Sequence, residues 1–397
     1  MSFGSIARDL GVAARLGARS LARRIRSPAG DRNAPDIRAW RAELAAWVRS
    51  LPAGLVAEHR WVELPATNPP WSVSGLELAA GDSITWFAAG RVHLSRALDI
   101  WVPPSFQLWA RVGPSGTVLR GTRDTHTFHA TSGGPLYLAS YFPGEWSTPH
   151  GELGHGANDY RKVSGGLSIL LLKWRHGVDP AAALNASVQQ GAAPAPVTAE
   201  CVRLAAPTDP PDGWNYLWYL GPAEIYRAGR APDGKASVCC DTHGDVGILR
   251  HAAALPLQPG TFLDWRWRVD SLPVDLREDS LPSHDYLSIA VEFDDGQDLT
   301  YYWSSALPVG TVYRCPLPTW KDKEIHVVVR SGTVELGRWL GERRDVHEDY
   351  RTCIGGPARS IVRVWLIANS LFQRGHGRCE YSAIEFEQPD GHRLKVL

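Results

Sequence analysis

The chain has 397 residues, 42 basic and 42 acidic side chains, and a formal net charge of zero. That length suffices for two domains with separate cores. The neutral balance excludes the strong positive field that steers proteins to nucleic acids, so we expect no nucleic-acid partner. The sequence contains no apolar run of about 18 residues, which excludes the pattern typical of a transmembrane helix.

The composition favours all-β domains. The chain contains 17 Trp, 38 Gly and 29 Pro, and such a mixture of rings and turn formers is typical of sandwiches. No apolar stretch of a secretory signal follows the N-terminal arginines, so we expect a cytoplasmic location. The six cysteines are then expected to be free thiols, and their spacing fits no zinc motif. They are Cys201, Cys239, Cys240, Cys315, Cys353 and Cys379.

Residues 3–26 predict an amphipathic helix. Its apolar face consists of Phe3, Ile6, Leu10, Ala13, Leu16, Leu21 and Ile25. Its basic face consists of Arg8, Arg15, Arg19, Arg23 and Arg26. This pattern is typical of a helix at an anionic membrane surface, here the inner membrane surface. It is also found in organelle presequences and in terminal helices that pack on their own protein.

The rest of the chain predicts one more helix and two β-sandwiches. A helix covers about 36–50, and Pro52 ends it. Seven short strands follow between residues 60 and 175, and six more between residues 261 and 387. The expected domains are a helical segment (1–54), a sandwich (55–176), an Ala/Pro-rich linker (177–199) and a jelly-roll sandwich (200–397).

Four stretches of the first sandwich occur in an order known from a lectin family. They are GDSITWFAAGRV (81–92), LWARVGPSGTV (108–118), GPLYLASYFPGEW (134–146) and SGGLSILLLKW (164–174). The series resembles the bacterial galactophilic lectins of the first PA type and the wider galactose-binding-like sandwich. The resemblance implies galactose binding through calcium, with an acid before the PG turn as a ligand. Phe142 occupies that position here, so we expect the fold without the calcium site.

The second half resembles a bacterial family of unknown function, DUF3047. The matching stretches are DWRWRVDSLP (264–273), LTYYWSSALPVGTV (299–312), GRWLGERRDVHEDYRTCIGG (337–356) and YSAIEF (381–386). The resemblance covers about 200–387 and implies an architecture, since the family has no assigned reaction. The late Asp- and Thr-rich loop of the family is replaced by IANSLFQRGHGRC (367–379).

One inserted loop has the side chains of a weak metal site. His150, Glu152, His155, Asn158 and Asp159 could together bind a divalent transition metal. Their spacing is not HExxH, and nothing predicts a helix there. A solvated polar loop explains the same residues, so we expect no cofactor and keep the metal as the alternative.

Alternation along the strands separates core positions from outward positions. In FLDWRWRVDSLP (262–273), Trp265 and Trp267 share a face with Leu263 and Val269, which predicts that both tryptophans lie in the core. On each strand of the second sandwich, the residues opposite the apolar face point outward. Together these outward residues include Arg266, Arg268, Glu292, Tyr302, His326, Arg330, Arg363 and Trp365. Guanidinium groups and rings on a rigid sheet suit glycans and small polar molecules. An ordinary outer face with cross-strand ion pairs would have the same composition.

We therefore expect a non-catalytic carbohydrate- or polar-ligand-binding protein built from two sandwich modules. The first alternative is an enzyme that acts on a glycan or a small hydroxylated substrate. Such an enzyme needs two carboxylates about 5–10 Å apart, and Glu292 is the one obvious candidate in the outward rows. The second alternative is a structural or assembly protein whose Trp-rich faces bury against another chain. The oligomeric state stays open.

Overall fold

The computed structural model describes residues 3–26, 36–67, 71–140, 146–154, 163–191 and 193–397. The chain forms two compact units. The first unit comprises Leu16–Pro207, and the second comprises Met1–Arg15 with Thr208–Leu397. Both are built mainly of antiparallel sheets, which confirms the predicted all-β class with two N-terminal helices. No helix in the described residues is long and apolar enough to span a membrane.

Two helices open the chain: α1 (Phe3–Arg26) and α2 (Ile37–Ser50). Asp36 caps α2 by accepting hydrogen bonds from the backbone of Arg38 and Ala39. Of the predicted apolar face of α1, Leu16 is buried, whereas Leu10 and Leu21 are 64% and 59% exposed. The buried face of α1 runs through Val12, Leu16 and Ser20, so it is rotated from the apolar face predicted by periodicity.

The described part of the first unit contains nine strands and the short helix α3 (Pro104–Gln107). The strands are β1 (Val56–Pro65), β2 (Ser72–Leu78), β3 (Ser83–Ser95), β4 (Ile100–Val102), β5 (Leu108–Val112), β6 (Leu119–Arg120), β7 (Thr125–His129), β8 (Gly134–Ser140) and β9 (Ser164–Trp174). One sheet has the order β1-β9-β3-β4, with β7 also paired to β3, and the other has the order β2-β8-β5-β6. Each of the seven predicted strands overlaps one of these strands.

The predicted linker is wrong in one respect, because much of residues 177–199 is helical. Helices α4 (Pro180–Gln189) and α5 (Ala195–Ala205) occupy it. Asp179 caps α4 by accepting from the backbone of Ala181, and Leu184 and Val197 are fully buried in the same core as Trp47. Small alanines let these helices pack closely, so they bury without the periodic large apolar residues that predict an amphipathic helix.

The second unit contains thirteen strands, the helix α6 (Val346–Cys353) and a 3₁₀ turn (Leu281–Ser283). The strands are β10 (Asn215–Tyr216), β11 (Tyr226–Arg230), β12 (Ala236–His243), β13 (Val246–Pro256), β14 (Phe262–Ser271), β15 (Tyr286–Phe293), β16 (Asp298–Ser304), β17 (Val312–Arg314), β18 (Glu324–Ser331), β19 (Leu340–Asp345), β20 (Ser360–Asn369), β21 (His376–Glu387) and β22 (Arg393–Lys395).

These strands form a seven-stranded and a six-stranded sheet. The seven-stranded sheet has the order β10-β13-β20-β15-β16-β18-β17, in which only β16 and β18 are parallel neighbours among the described strands. The six-stranded sheet has the order β11-β12-β21-β14-β19, with β22 paired to β21. One apolar core contains side chains of both sheets, as in a sandwich.

The core position of the two tryptophans of β14 is confirmed. Trp265 and Trp267 are 1% and 0% exposed. The Trp265 ring stacks on Tyr301 of β16 with centroids 5.6 Å apart, and Trp267 lies 5.7 Å from Trp303. These rings join the two sheets, so they do not form a platform for a ligand. All six cysteines are free thiols, as predicted.

Candidate functional site

The structure divides the eight predicted binding residues between the two sheets of the second unit. Arg266 and Arg268 belong to β14 of the six-stranded sheet. The other six lie on strands of the seven-stranded sheet: Glu292, Tyr302, His326, Arg330, Arg363 and Trp365. Because the two sheets share one core, their outer faces point in opposite directions. The predicted residues therefore form no single surface.

Arg266 and Arg268 lie on an outer face with local ion pairs. Arg266 donates to Asp233 at 2.7 Å, and Arg268 lies 3.0 Å from Asp270. Both guanidinium groups also lie over the Trp339 ring, with distances of 5.6 and 5.8 Å to its centroid. Such ion pairs also occur on the ordinary outer face that the sequence left open as an alternative.

Arg330 closes one end of the sandwich. Its Nε donates to Glu342 of β19 at 2.6 Å, and its Nη1 donates to Glu335 at 3.1 Å. Glu342 also accepts a hydrogen bond from the indole of Trp267 at 3.1 Å. Since these contacts link the two sheets, they suit a structural role.

On the seven-stranded sheet, Glu292, Arg363 and Trp365 form one hydrogen-bonded group. Arg363 Nη1 donates to Glu292 Oε1 at 2.7 Å, and Trp365 Nε1 donates to Glu292 Oε2 at 2.9 Å. The register of β15 and β20 sets Glu292 directly opposite Arg363. Both carboxylate oxygens are thereby fixed, while the Arg363 side chain remains 42% exposed.

Aromatic and basic side chains surround this group. The Trp320 ring meets the Trp365 ring edge to face at 6.0 Å, and Tyr219 lies 6.2 Å from Trp320. Arg250 on β13 is opposite Trp365, and its guanidinium group makes no hydrogen bond or ion pair with any described residue. We call this set the outer patch: Tyr219, Arg250, Glu292, Trp320, Arg363 and Trp365.

Electrostatics keeps the phenol of Tyr219 protonated. Burial raises its pKa, the nearby Glu292 carboxylate raises it further, and Arg250 lowers it. A neutral phenol can both donate and accept hydrogen bonds. The outer patch thus combines two arginines, a fixed carboxylate, a hydroxyl and two indole rings.

Further along the same sheet lies a buried cluster that the sequence reasoning did not assemble. It consists of His284, Cys315, Glu324 and His326, whose ligand atoms all lie within 4.8 Å of one another. The Cys315 sulfur is 3.3 Å from His284 Nε2, and His326 Nε2 is 3.5 Å from Glu324 Oε1. Neither ring nitrogen of His326 has a hydrogen-bond partner among the described residues.

Neighbouring groups hold the buried cluster in place. His284 Nδ1 is 2.6 Å from the carbonyl oxygen of Glu278, so this nitrogen carries the proton and Nε2 keeps its lone pair. Glu324 Oε1 accepts hydrogen bonds from Tyr286 at 2.9 Å and from Thr300 at 3.1 Å. The ring of Tyr313 stacks on His326 with centroids 4.9 Å apart and an interplanar angle of 7°.

The carboxyl groups of Asp298 and Glu324 share this buried region. The Thr300 hydroxyl lies 2.9 Å from Asp298 Oδ1 as well as 3.1 Å from Glu324 Oε1. Burial and the Glu324 charge raise the pKa of Asp298 well above its usual range. Burial would also raise the pKa of Glu324, but the adjoining His326 and His284 lower it to about 2. Thr300 thus lies between the two carboxyl groups and links them by hydrogen bonds.

The buried cluster does not suit nucleophilic catalysis. Cys315 and Glu324 are 1% and 2% exposed, and His284 and His326 are fully buried. Burial raises the pKa of the Cys315 thiol well above its usual value, and a thiol, unlike a thiolate, is a poor nucleophile. The cluster has the side chains of a closed metal site, since histidine, cysteine and glutamate are zinc ligands.

Sequence alternation could have found half of the buried cluster. Glu324 and His326 are two residues apart on β18 and share the outward face, but the predicted set contains His326 alone of the two. His284 lies beyond the 3₁₀ turn, and Cys315 directly follows β17. No spacing rule brings two such positions together, because only the sheet order does.

The predicted metal loop is described in part. His150 and Glu152 lie in the described residues and are exposed, whereas His155, Asn158 and Asp159 lie outside them. The carbonyl of His150 accepts from Arg111 at 2.6 Å, and the carbonyl of Glu152 accepts from Ser147. Phe142, at the position of the lectin calcium ligand, also lies outside the described residues.

Residues 212–385 match the family described as "Protein of unknown function (DUF3047)". This match covers the larger part of the second unit and confirms the predicted resemblance of that half. No protein with a curated description matches the chain.

Solved structures similar to the chain include a lectin and two glycan-related enzyme domains. The first is titled "EclA N-terminal domain; PllA-like lectin", with 18% identity over 31% of this chain and 99% of that one (TM-score 0.23). The second is the xyloglucanase domain of the type three effector NopAA from Sinorhizobium fredii, with 11% identity over 48% and 98% (TM-score 0.29). The third is a xylanase variant, with 9% identity over 43% and 83% (TM-score 0.25). Overlaps of this size carry no argument about function.

Proposed function

We propose that the chain is a non-catalytic binding protein for a polar, hydroxylated ligand of the glycan type, which it holds at the outer patch. The observation that carries the proposal is Arg250, whose guanidinium group has no hydrogen-bond or ion-pair partner among the described residues. It lies beside the Glu292–Arg363–Trp365 group. A fixed fork of donors next to indole rings suits the hydroxyls and the apolar face of a sugar ring.

The buried carboxyls argue for binding over catalysis. Asp298 and Glu324 lie on the same sheet as Glu292. This sheet therefore has further carboxyl groups besides Glu292, which was the one candidate that strand alternation indicated. Both are 2% exposed, and a substrate would have to reach both members of an acid–base pair. Glu292 alone lies at the outer patch, where two donors already hold it.

A glycan array identifies the ligand, and substitutions then test the site. Trp320→Ala and Arg363→Ala are each expected to weaken binding of the best array glycan about tenfold or more, since each removes a ring contact or a charged donor. Arg266→Ala, which removes an arginine from the opposite sheet, is the matched control and is expected to bind normally. Absence of any array ligand, or equal binding by all three variants, would contradict the proposal.

We also propose that α1 contacts an anionic membrane surface. Leu10 and Leu21 are exposed and lie 20° apart on the helical wheel, so they form one apolar stripe. Replacement of both by aspartate is expected to abolish sedimentation with phosphatidylserine vesicles. Val202→Asp on α5, which changes another exposed apolar residue, serves as control. Unchanged sedimentation of the double variant would refute this proposal.

A further inference from the structure

We propose that His284, Cys315, Glu324 and His326 bind one zinc ion, which ties the loop before β15 and the segment after β17 to strand β18. The four side chains offer two imidazole nitrogens, a thiolate and a carboxylate, a donor set that zinc accepts in tetrahedral geometry. All four residues are buried, so the site is closed to substrate and its role is structural.

The dimensions of the buried cluster suit this ion. Ligand atoms bonded to tetrahedral zinc at about 2.0–2.3 Å lie roughly 3.3–3.8 Å from one another. The four atoms here lie within 4.8 Å of one another, and the Cys315 sulfur and His284 Nε2 are already 3.3 Å apart. A contraction of at most about 1.5 Å between the most distant ligand atoms, which side-chain torsions can supply, completes the coordination.

Hydrogen bonds outside the ligand set orient the ligands as in known zinc sites. The His284 ring donates its Nδ1 proton to the Glu278 carbonyl and directs the lone pair of Nε2 into the cluster. Metal-binding histidines commonly use their second nitrogen in this way. Glu324 accepts from Tyr286 and Thr300, and the stacked ring of Tyr313 fixes the plane of His326.

Charge and hydrogen bonding explain why the interior tolerates these groups. A buried imidazole without a hydrogen-bond partner is costly, and neither nitrogen of His326 has one among the described residues. A zinc ion provides a partner for the lone pair of one His326 ring nitrogen. Binding releases the Cys315 proton, and the two positive charges of zinc then balance the Cys315 thiolate and the Glu324 carboxylate.

The test uses the full-length chain and measures metal content by mass spectrometry after purification. We expect one zinc per chain in the wild type and in Cys240→Ala, and less than a tenth of that in Cys315→Ala. Cys240 is the matched control because it is an equally buried free cysteine outside the cluster. Zinc retained by Cys315→Ala would place the metal elsewhere, for example at His150 and Glu152, and would overturn the proposal.

A second measurement covers a Cys315→Ala variant that does not fold. The wild-type chain is stripped with chelator and titrated with Co²⁺. We expect the d–d bands of tetrahedral cobalt with a thiolate charge-transfer band at one equivalent, and competition by zinc. Tyr286→Phe, which removes one hydrogen bond to Glu324, is expected to weaken Co²⁺ binding 10–100-fold. A spectrum without the thiolate band, or no Co²⁺ binding by folded wild-type protein, would overturn the proposal.

Discussion

Glu292 and Arg363 lie directly opposite each other on β15 and β20, and Arg363 Nη1 donates to Glu292 Oε1 at 2.7 Å. Their side chains are 16% and 42% exposed. A pair so close to solvent contributes at most about 1 kcal/mol to stability. Its main effect is on geometry, because the same carboxylate also holds the indole of Trp365.

Glu292→Gln is therefore expected to separate binding from stability. The free energy of unfolding in urea should change by less than about 1 kcal/mol, while affinity for the array glycan should fall about tenfold, since the glutamine amide has one oxygen and can no longer hold both Arg363 and Trp365. The control is Glu385→Gln, which breaks the comparable pair with Arg393 on the six-stranded sheet. A large loss of stability with unchanged affinity would contradict this assignment.

The half-buried ring of His126 makes the stability of the first unit depend on pH. Burial and then the charge of Arg203 lower the pKa of His126 from 6.5 to about 4. Between these values the unfolded chain binds a proton that the folded chain does not, so stability falls as the pH falls. The loss is about 1.4 kcal/mol per pH unit and about 3 kcal/mol in total.

The variant for this test is His126→Phe, which keeps a ring beside Trp86. Urea unfolding at pH 7, 5.5 and 4.5 should show that the wild type loses about 2–2.5 kcal/mol more than the variant across this range. His129→Phe, a change at an exposed position on the same strand, should follow the wild type. Parallel pH curves for wild type and His126→Phe would show that the ring titrates normally.

The helices that replace the predicted linker should contribute to the stability of the first unit. Leu184 of α4 is fully buried, so Leu184→Ala is expected to lower the free energy of unfolding by about 2–5 kcal/mol. Val202→Ala on the exposed side of α5 should cost much less. Limited proteolysis gives the second readout, since a flexible linker would be cut within 177–199 in the native wild type, and a folded one would not.

Trp265 should be among the most sensitive positions of the second unit. Trp265→Ala removes a ring that stacks on Tyr301 across the core and is expected to cost about 3–5 kcal/mol. Trp218, which is 37% exposed, gives the control, because Trp218→Ala leaves no comparable cavity. Denaturant midpoints of the two variants check this, and equal midpoints would argue against the core assignment.

Strand alternation predicted what depends on one strand alone. It separated Trp265 and Trp267 from Arg266 and Arg268, because successive side chains of a strand always point to opposite faces. It could not assign strands to sheets. Alternation therefore groups Arg268 with Arg363 as outward residues, although their strands belong to different sheets.

Two other features depended on contacts that local sequence does not encode. The alanines of α4 and α5 are small enough to pack without a marked apolar period, so composition suggested a linker. His284 and Cys315 are 31 residues apart, and they meet because β15, β16 and β18 are neighbours in the sheet. Spacing rules for metal sites apply to ligands on one helix or loop and cannot detect such a pair.

The most direct test of ligand binding at the outer patch is a calorimetric titration of the best array glycan into two double variants. Arg250→Ala/Arg363→Ala removes both arginines of the patch, and Arg266→Ala/Arg268→Ala removes two from the opposite sheet. A lost hydrogen bond to a charged group costs about 1.5–3 kcal/mol, so the first variant should raise Kd about 100-fold or more. The second should leave Kd within about twofold of wild type. Equal Kd values for the two variants, or a larger loss in the second, would contradict the account.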